Sequence, residues 1–343
     1  MTDPEAFDAL YRDRPVLKPT TGTYIRHIAL LAVTFCTVTL AGTLFPFGSG
    51  GSAFLDAPDP QTAGEFFQFL MTLPAVYAGF IVDAISHLYR DPTQLKYGLE
   101  FSLSLMFILF CHEMGHYIAC RLYRVDATLP FFIPTPPMIG PAGTFGAFIK
   151  ILSPMPTRRA VFDIGVAGPI AGFLALIPIA IAGVAMTKAM SAAELADPGP
   201  ILFANPLFMK LAAGALSKDL ALVDRNPFFY AGWVGLLVTA LNLIPSGQLD
   251  GGHAIYAVFG ERVHFWTGRI AFPVMACMSV IGFYFFGSPS GFLIAIILGI
   301  MMKVRHPTPW DLTPLDAKRK VIAFLTLVIF VLCFTPFPIR INY

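Results

Sequence analysis

Seven stretches of this chain remain apolar for about the length, or nearly the length, that a helix needs to cross a bilayer: Ile25 to Phe47, Tyr97 to Cys120, Ala160 to Met186, Phe228 to Ile244, Phe265 to Gly287, Gly291 to Met302 and Val321 to Pro336. A chain with such runs must satisfy its backbone polar groups internally, as helices, wherever it meets lipid. Composition agrees: 56% of the residues are hydrophobic and only 13% charged, against roughly a quarter charged in soluble domains. The expected fold is therefore an all-α polytopic membrane protein of about seven transmembrane helices. The sixth run is short and borrows residues on either side or tilts little. The first run is too long for a signal peptide, lacks an A-x-A site and reads as an uncleaved anchor. Asp3, Glu5, Asp8 and Asp13 argue against a transit peptide, so a bacterial or archaeal plasma membrane is the expected location.

Phe66 to Leu88 is apolar but carries Gln68, Pro74, Asp83, Ser86 and His87, and is expected to be interfacial or re-entrant. If it does not span, seven spans with a cytoplasmic N-terminus put 16 of the 23 Lys and Arg inside; if it spans, the count falls to 12. The positive-inside rule favours the first arrangement. The chain then divides into a cytoplasmic tail (1–24), an anchor helix with the interfacial segment (25–96), a catalytic membrane core (97–260) and C-terminal transmembrane helices (261–343). No stretch outside the spans is long enough for an independent domain.

A net charge of +2 with dispersed cations excludes nucleic acid as a natural partner. The five cysteines, Cys36, Cys111, Cys120, Cys277 and Cys333, lie in apolar runs without CxxC spacing and are expected as buried thiols.

Within the second run stands His112-Glu113-Met114-Gly115-His116. Histidines four apart on a helix share one face, so both imidazoles reach one ion. Zinc suits two neutral imidazoles with a carboxylate and a water, and Glu113 stands where a general base would take that water's proton. HExxH arises by chance in roughly one chain of this composition in 400. Its place inside a span adds to the signal, because ionisable groups there are costly unless they serve a cavity or an ion. Gly115 leaves room for a substrate or a neighbouring helix. Cys120 lies about 12 Å along the helix from His112, too far to share the ion.

Two imidazoles need a third ligand from elsewhere. The intramembrane carboxylate in a comparably loaded setting is Asp250, in Asn242-Leu243-Ile244-Pro245-Ser246-Gly247-Gln248-Leu249-Asp250-Gly251-Gly252-His253. Pro245 and Gly247 break the fourth span, Gly251-Gly252 lets the chain turn sharply after the carboxylate, and irregular backbone at membrane depth belongs around a cavity or an ion. Taken alone, Asp250 serves equally as a structural cap. HExxH and Asp250 each end a helix with one span between them, which brings them to one side of the membrane.

With both motifs in view the chain resembles the site-2 protease family of intramembrane zinc metalloproteases, which carries HExxH in one core span and Asn-x-x-Pro…Leu-Asp-Gly two spans later. The resemblance runs from about Tyr97 to Gly260 and includes the small-residue stretch Gly165 to Gly172. It implies a three-helix catalytic core and one zinc per chain, with His112, His116 and Asp250 as ligands. It also implies Glu113 as general base and Asn242 in the active site, holding the substrate backbone or the developing oxyanion. The PDZ domain that many bacterial members insert is absent. The implied reaction is hydrolysis of peptide bonds in transmembrane segments of other membrane proteins within the lipid bilayer. The rival reading is a non-enzymatic zinc-binding membrane scaffold or a transporter. The sequence specifies no oligomeric state.

Other polar residues carry weaker expectations. His253 is a donor behind the ligands or an interfacial histidine. His27, His87, His264 and His306 read as interfacial. Asp163 either hydrogen-bonds within the site or caps its helix after Arg158-Arg159, and the cap is the favoured reading. Leu129 to Pro141, LPFFIPTPPMIGP, is too apolar for solvent and too rich in proline for a helix, so it should dip into the membrane. Gly143 to Ile151 reads as a short strand or hairpin, either plainly structural or, by the resemblance, a strand edge beside the zinc.

Overall fold

The computed structural model describes residues 18–44, 62–136, 142–190, 201–220, 223–304 and 308–341. The first part of the N-terminal tail, residues 137–141 of the proline-rich loop, part of the Thr187 to Asn226 stretch and His306 lie outside the described residues. All seven apolar runs form helices: α1 (Thr21–Leu44), α3 (Pro92–Leu122), α4 (Arg158–Ala185), α6 (Pro227–Asn242), α8 (Glu261–Phe286), α9 (Ser290–Met301) and α10 (Ala317–Cys333). Between them lie α2 (Ala63–Arg90), α5 (Leu207–Ala215) and α7 (Asp250–Phe259). Among the described residues four helices, α1, α3, α4 and α8, are long and apolar enough to cross a membrane. α6 and α9 are apolar but shorter; at 1.5 Å per residue the 12 residues of α9 reach only about 18 Å.

The helix starts follow local chemistry. Asp91 accepts from the Thr93 amide with Pro92 at the first helical position, and Asn226 accepts from Phe229 with Pro227 in the same place. The bonds from the Thr93 hydroxyl and amide hold the Asp91 carboxyl below its ordinary pKa. Thr157 caps α4 by accepting from Ala160. Asp163 is therefore not a cap, contrary to expectation: one turn further in, its carboxylate pairs with Arg319 of α10 at 2.6 Å.

The segment from Phe66 to Leu88 lies in one unbroken 28-residue helix, α2, with Pro74 inside it. A re-entrant segment must reverse direction, and this helix does not.

The core is built from α3, α4 and α6. Phe101, Leu105 and Ile108 of α3 pack with Leu176, Ala180 and Val184 of α4 and with Phe229, Trp233 and Leu236 of α6. Small residues let the backbones meet, as Gly232 does against Ala180 and Gly183 against Phe229. A second cluster joins Cys120 and Val125 to Val161, Phe162 and Tyr256 of α7. Large apolar side chains cover the outside, among them Phe107 and Ile118 of α3 and Ile270 and Val280 of α8, as a lipid-facing surface requires. Cys36 and Cys277 lie on that outside and Cys111 is partly buried, so only Cys120 and Cys333 meet the expectation of buried thiols.

The strand expected after the proline-rich loop is present. β1 (Phe131–Pro134) pairs antiparallel with β2 (Thr144–Phe148), Phe131 opposite Phe148 and Phe132 opposite Ala147, with a bulge before Pro134. Two further small antiparallel pairs, β3 (Lys188–Ala189) with β5 (Val223–Asp224) and β4 (Ile201–Phe203) with β6 (Ile339–Ile341), follow the far end of α4. His27 and His264 are buried and tie neighbouring segments: His27 Nδ1 lies 2.9 Å from the Pro130 carbonyl and His264 Nε2 lies 2.9 Å from that of Gly247. Both positions were read from their nearness to span ends, which does not reveal what packs on them.

Candidate metal centre

Four helical turns into the apolar run of α3, His112 and His116 project from one face, both buried, with Glu113 buried beside them. The facing wall is α4. An added β-carbon at Gly168 would lie 2.0 Å from His116 Nε2, and one at Gly172 would lie 3.0 Å from the His112 β-carbon. Gly115, between the histidines, meets the Ala167 backbone, so it makes room for the neighbouring helix. The small-residue stretch of α4 thus exists to seat two imidazoles against a helix backbone.

Asp250 arrives from the other side. The chain leaves α6 at Asn242 and turns through Leu243 to Leu249 with Gly247 at φ +54°. It then opens α7 at Asp250. Asp250 therefore starts a helix, where the sequence reading had it ending one. Gly251 and Gly252 do not turn the chain but lie in the first turn of α7, and a β-carbon at Gly251 would fall 2.0 Å from the Leu243 carbonyl oxygen. That close return is what brings the carboxylate back beside α3.

The atoms converge. His112 Nε2 and His116 Nε2 are 3.2 Å apart, and each lies 3.3 Å from one oxygen of Asp250. Donors about 2.0–2.1 Å from a tetrahedral zinc are separated by about 3.3 Å, so this set has the spacing such an ion requires. The tautomer also fits. His116 Nδ1 lies 2.7 Å from the Ile164 carbonyl oxygen, to which it donates, leaving the Nε2 lone pair for a metal. Pro169 contributes by lacking the amide that would bond the Gly165 carbonyl, which opens the α4 backbone next to Ile164.

Glu113 Oε1 is 3.9 Å from His112 Nε2, and Ile149, just beyond β2, lines the same cavity. The Asn242 side-chain amide reaches to 3.2 Å from His112 Nε2. A cavity of about 550 Å³ opens over the group, lined also by Ile149, Ile151, Gln248 and His253. His112, Glu113, His116, Asn242 and Asp250 thus stand together at one site. Gln248 and the Ile164 carbonyl were missed. The former carries no motif of its own, and the latter is backbone, signalled only by the proline five residues on. The histidine of the Gly-Gly-His step, His253, packs its β-carbon against Gly165 behind Asp250.

Two histidines and a glutamate on one buried helix, facing an aspartate from a second, form the donor set of a metallopeptidase. Residues 100–282, more than half the chain, match the family model described as Peptidase family M50, and the chain belongs to that family. It is 29% identical over 249 residues to a protein named probable zinc metalloprotease EGY1, chloroplastic, from Arabidopsis thaliana, covering 70% of this chain and 43% of that one. Against the EGY1 protein of Oryza sativa subsp. japonica it is 32% identical over 190 residues, 54% of this chain and 32% of the relative. The probable zinc metalloprotease EGY2, chloroplastic, of Arabidopsis thaliana is 25% identical over 80% of this chain and 47% of its own length. The chain thus spans less than half the length of these relatives. No solved structure matches.

Proposed function

We propose that the chain is an intramembrane zinc metalloprotease that hydrolyses peptide bonds in transmembrane segments of other membrane proteins. The observation that carries the reading is the convergence of His112, His116 and Asp250 with Glu113 alongside, on helices of a membrane-spanning kind. His112, His116 and Asp250 hold one zinc, which supplies a Lewis-acid charge that acidifies water and polarises the scissile carbonyl. Glu113 accepts the proton of the attacking water as its oxygen bonds to the carbonyl carbon, then delivers that proton to the amine nitrogen as the C–N bond breaks. Asn242, at the end of α6, donates to the substrate backbone or to the oxyanion. The free edge of β2 holds the unwound substrate as an added strand, since its backbone leads into Ile149 beside Glu113.

The same reading divides the chain at 97–260 for the catalytic core, within seven spans. It places the site near the cytoplasmic face of a bacterial or archaeal plasma membrane, with the N-terminus on that side. The support is the distribution of Lys and Arg; the relatives, by contrast, carry "chloroplastic" in their names. Single-cysteine labelling at the N-terminus and in Thr187 to Asn226 should occur from opposite sides, and labelling of both from one side would remove the seven-span arrangement. The mechanism is tested by Glu113→Gln, which should keep zinc and abolish cleavage of a reconstituted transmembrane substrate. Unaltered cleavage would exclude Glu113 as the base. A scaffold or transporter would lose nothing on this change.

A further inference from the structure

His116 Nδ1 is held by one backbone carbonyl, that of Ile164, and a chain of contacts leads from that carbonyl out of the catalytic core to the C-terminal helix. Ile164, which accepts from His116 Nδ1, follows Asp163 in the first turns of α4. Those turns lack one hydrogen bond to the rest of their helix, because Pro169 offers no amide to the Gly165 carbonyl, and Gly165 and Gly168 add no side-chain packing of their own. An external tether is present. Arg319 of α10 approaches Asp163 with Nε at 2.9 and 3.1 Å from its two oxygens and Nη2 at 2.6 Å, a forked pairing only about a quarter exposed on either side. The Tyr123 hydroxyl donates to the same carboxylate and accepts from Arg319 Nη2 at 3.1 Å. Tyr123 is the C-cap of α3, the helix that carries both histidines. Asp316, which caps α10, takes the remaining arm of the guanidinium.

We propose that Arg319 is a positioning residue for the metal centre: by fixing Asp163 against Tyr123 it locks the Ile164 carbonyl, and through it the His116 imidazole, in the orientation that presents Nε2 to the ion. This rests on the zinc-protease reading above. One guanidinium joins the end of α3, the start of α4 and α10, and it comes from beyond residue 282, where the family match ends. A loosened α10 thereby lowers the fit of the site without touching a ligand. Lysine cannot replace the fork, having a single nitrogen where three bonds to one carboxylate are made.

The test uses the full chain in detergent micelles with zinc itself as the probe, its affinity measured by competition with a chelator, and with cobalt(II) in its place to report ligand geometry through its visible d–d bands. Arg319→Met and Asp163→Asn should each weaken zinc binding about tenfold and shift the cobalt bands. Arg319→Lys should recover only part of the loss. Asp316→Asn, which keeps a capping side chain and leaves the Asp163 fork intact, should change neither readout. Wild-type affinity and an unchanged cobalt spectrum in Arg319→Met would overturn the proposal. So would an effect of Asp316→Asn as large as that of Arg319→Met, since loosening of α10 alone would then explain both. If Arg319→Met does not fold, Tyr123→Phe and Arg319→Lys must still each weaken zinc several-fold, or the proposal is wrong. A wild-type chain that binds no zinc would overturn the metalloprotease reading and this one with it, whereas normal wild-type binding with unaffected variants would sink this one alone.

Discussion

Gly168 of α4 faces His116 of α3 so closely that a β-carbon on the glycine would lie 2.0 Å from Nε2, the atom that faces Asp250. The imidazole has no room to yield, because its Nδ1 is bonded to Ile164 O on the same helix as the glycine.

In an exposed helix a change from glycine to alanine stabilises by about 1 kcal/mol. Gly168→Ala should do the reverse. It should lower zinc affinity by at least about a hundredfold and destabilise by a few kcal/mol, because either the ring leaves its rotamer or α3 and α4 move apart. Gly79→Ala in α2, where nothing lies within 4 Å of the added carbon, should leave zinc content unchanged. Zinc analysis and thermal melting of the two variants check this, and equal behaviour would mean that α4 does not set the site.

The N-terminal helix holds the hairpin. Thr37 Oγ1 donates to the Gly143 carbonyl at 2.8 Å, and Gly143 itself, at φ +67°, brings its backbone so near Thr37 that a β-carbon would lie 2.4 Å from the Thr37 carbonyl oxygen. At the other end of the hairpin His27 bonds Pro130 and packs its ring against Phe131, tilted by 43° with centroids 4.1 Å apart. Thr37→Val should cost about 1 kcal/mol, the worth of one hydrogen bond. It should also raise the substrate KM several-fold with kcat little changed, since the ligands and Glu113 stay in place. A loss confined to kcat would argue that α1 acts on the chemistry instead.

The two motifs were legible because their chemistry is written in side chains: HExxH has helical spacing, and the Asn242 to Asp250 stretch has the proline and glycines that irregular backbone needs. The helices were legible for the same reason that a bilayer selects them. What the sequence hid lies in backbone and in pairings between distant segments. Asp163 looked like a helix cap because two arginines precede it, but its partner is Arg319, 156 residues on. His27 and His264 stand near span ends, and each holds a carbonyl on another segment. Gly251-Gly252 looked like a turn and is instead a close approach inside a helix, a distinction that composition does not carry.

The last prediction concerns how the substrate is held. A transmembrane helix hides its peptide bonds in its own hydrogen bonds and must unwind to be cut; the exposed groups then cost several kcal/mol each in a low-dielectric site unless new partners are offered. β2 is paired by β1 on one edge of a two-stranded sheet, which leaves its other edge without a strand among the described residues. Proline substitution removes one backbone donor at a time, and the structure says where this is informative. At Gly146 proline would force φ from +94° to about −65° and would also break the bond from the Gly146 amide to Thr144 Oγ1, so it damages the hairpin itself. At the consecutive positions Ala147 and Phe148, antiparallel pairing turns one amide toward β1 and the next away. One of these substitutions should therefore lower the melting temperature. The other should leave it unchanged while cutting kcat/KM for a transmembrane substrate about tenfold, the loss expected for one hydrogen bond made to the substrate in a dry site. Unchanged cleavage with proline at Phe145, Ala147 and Phe148 alike would leave β2 as a structural element and remove strand addition as the mode of substrate binding.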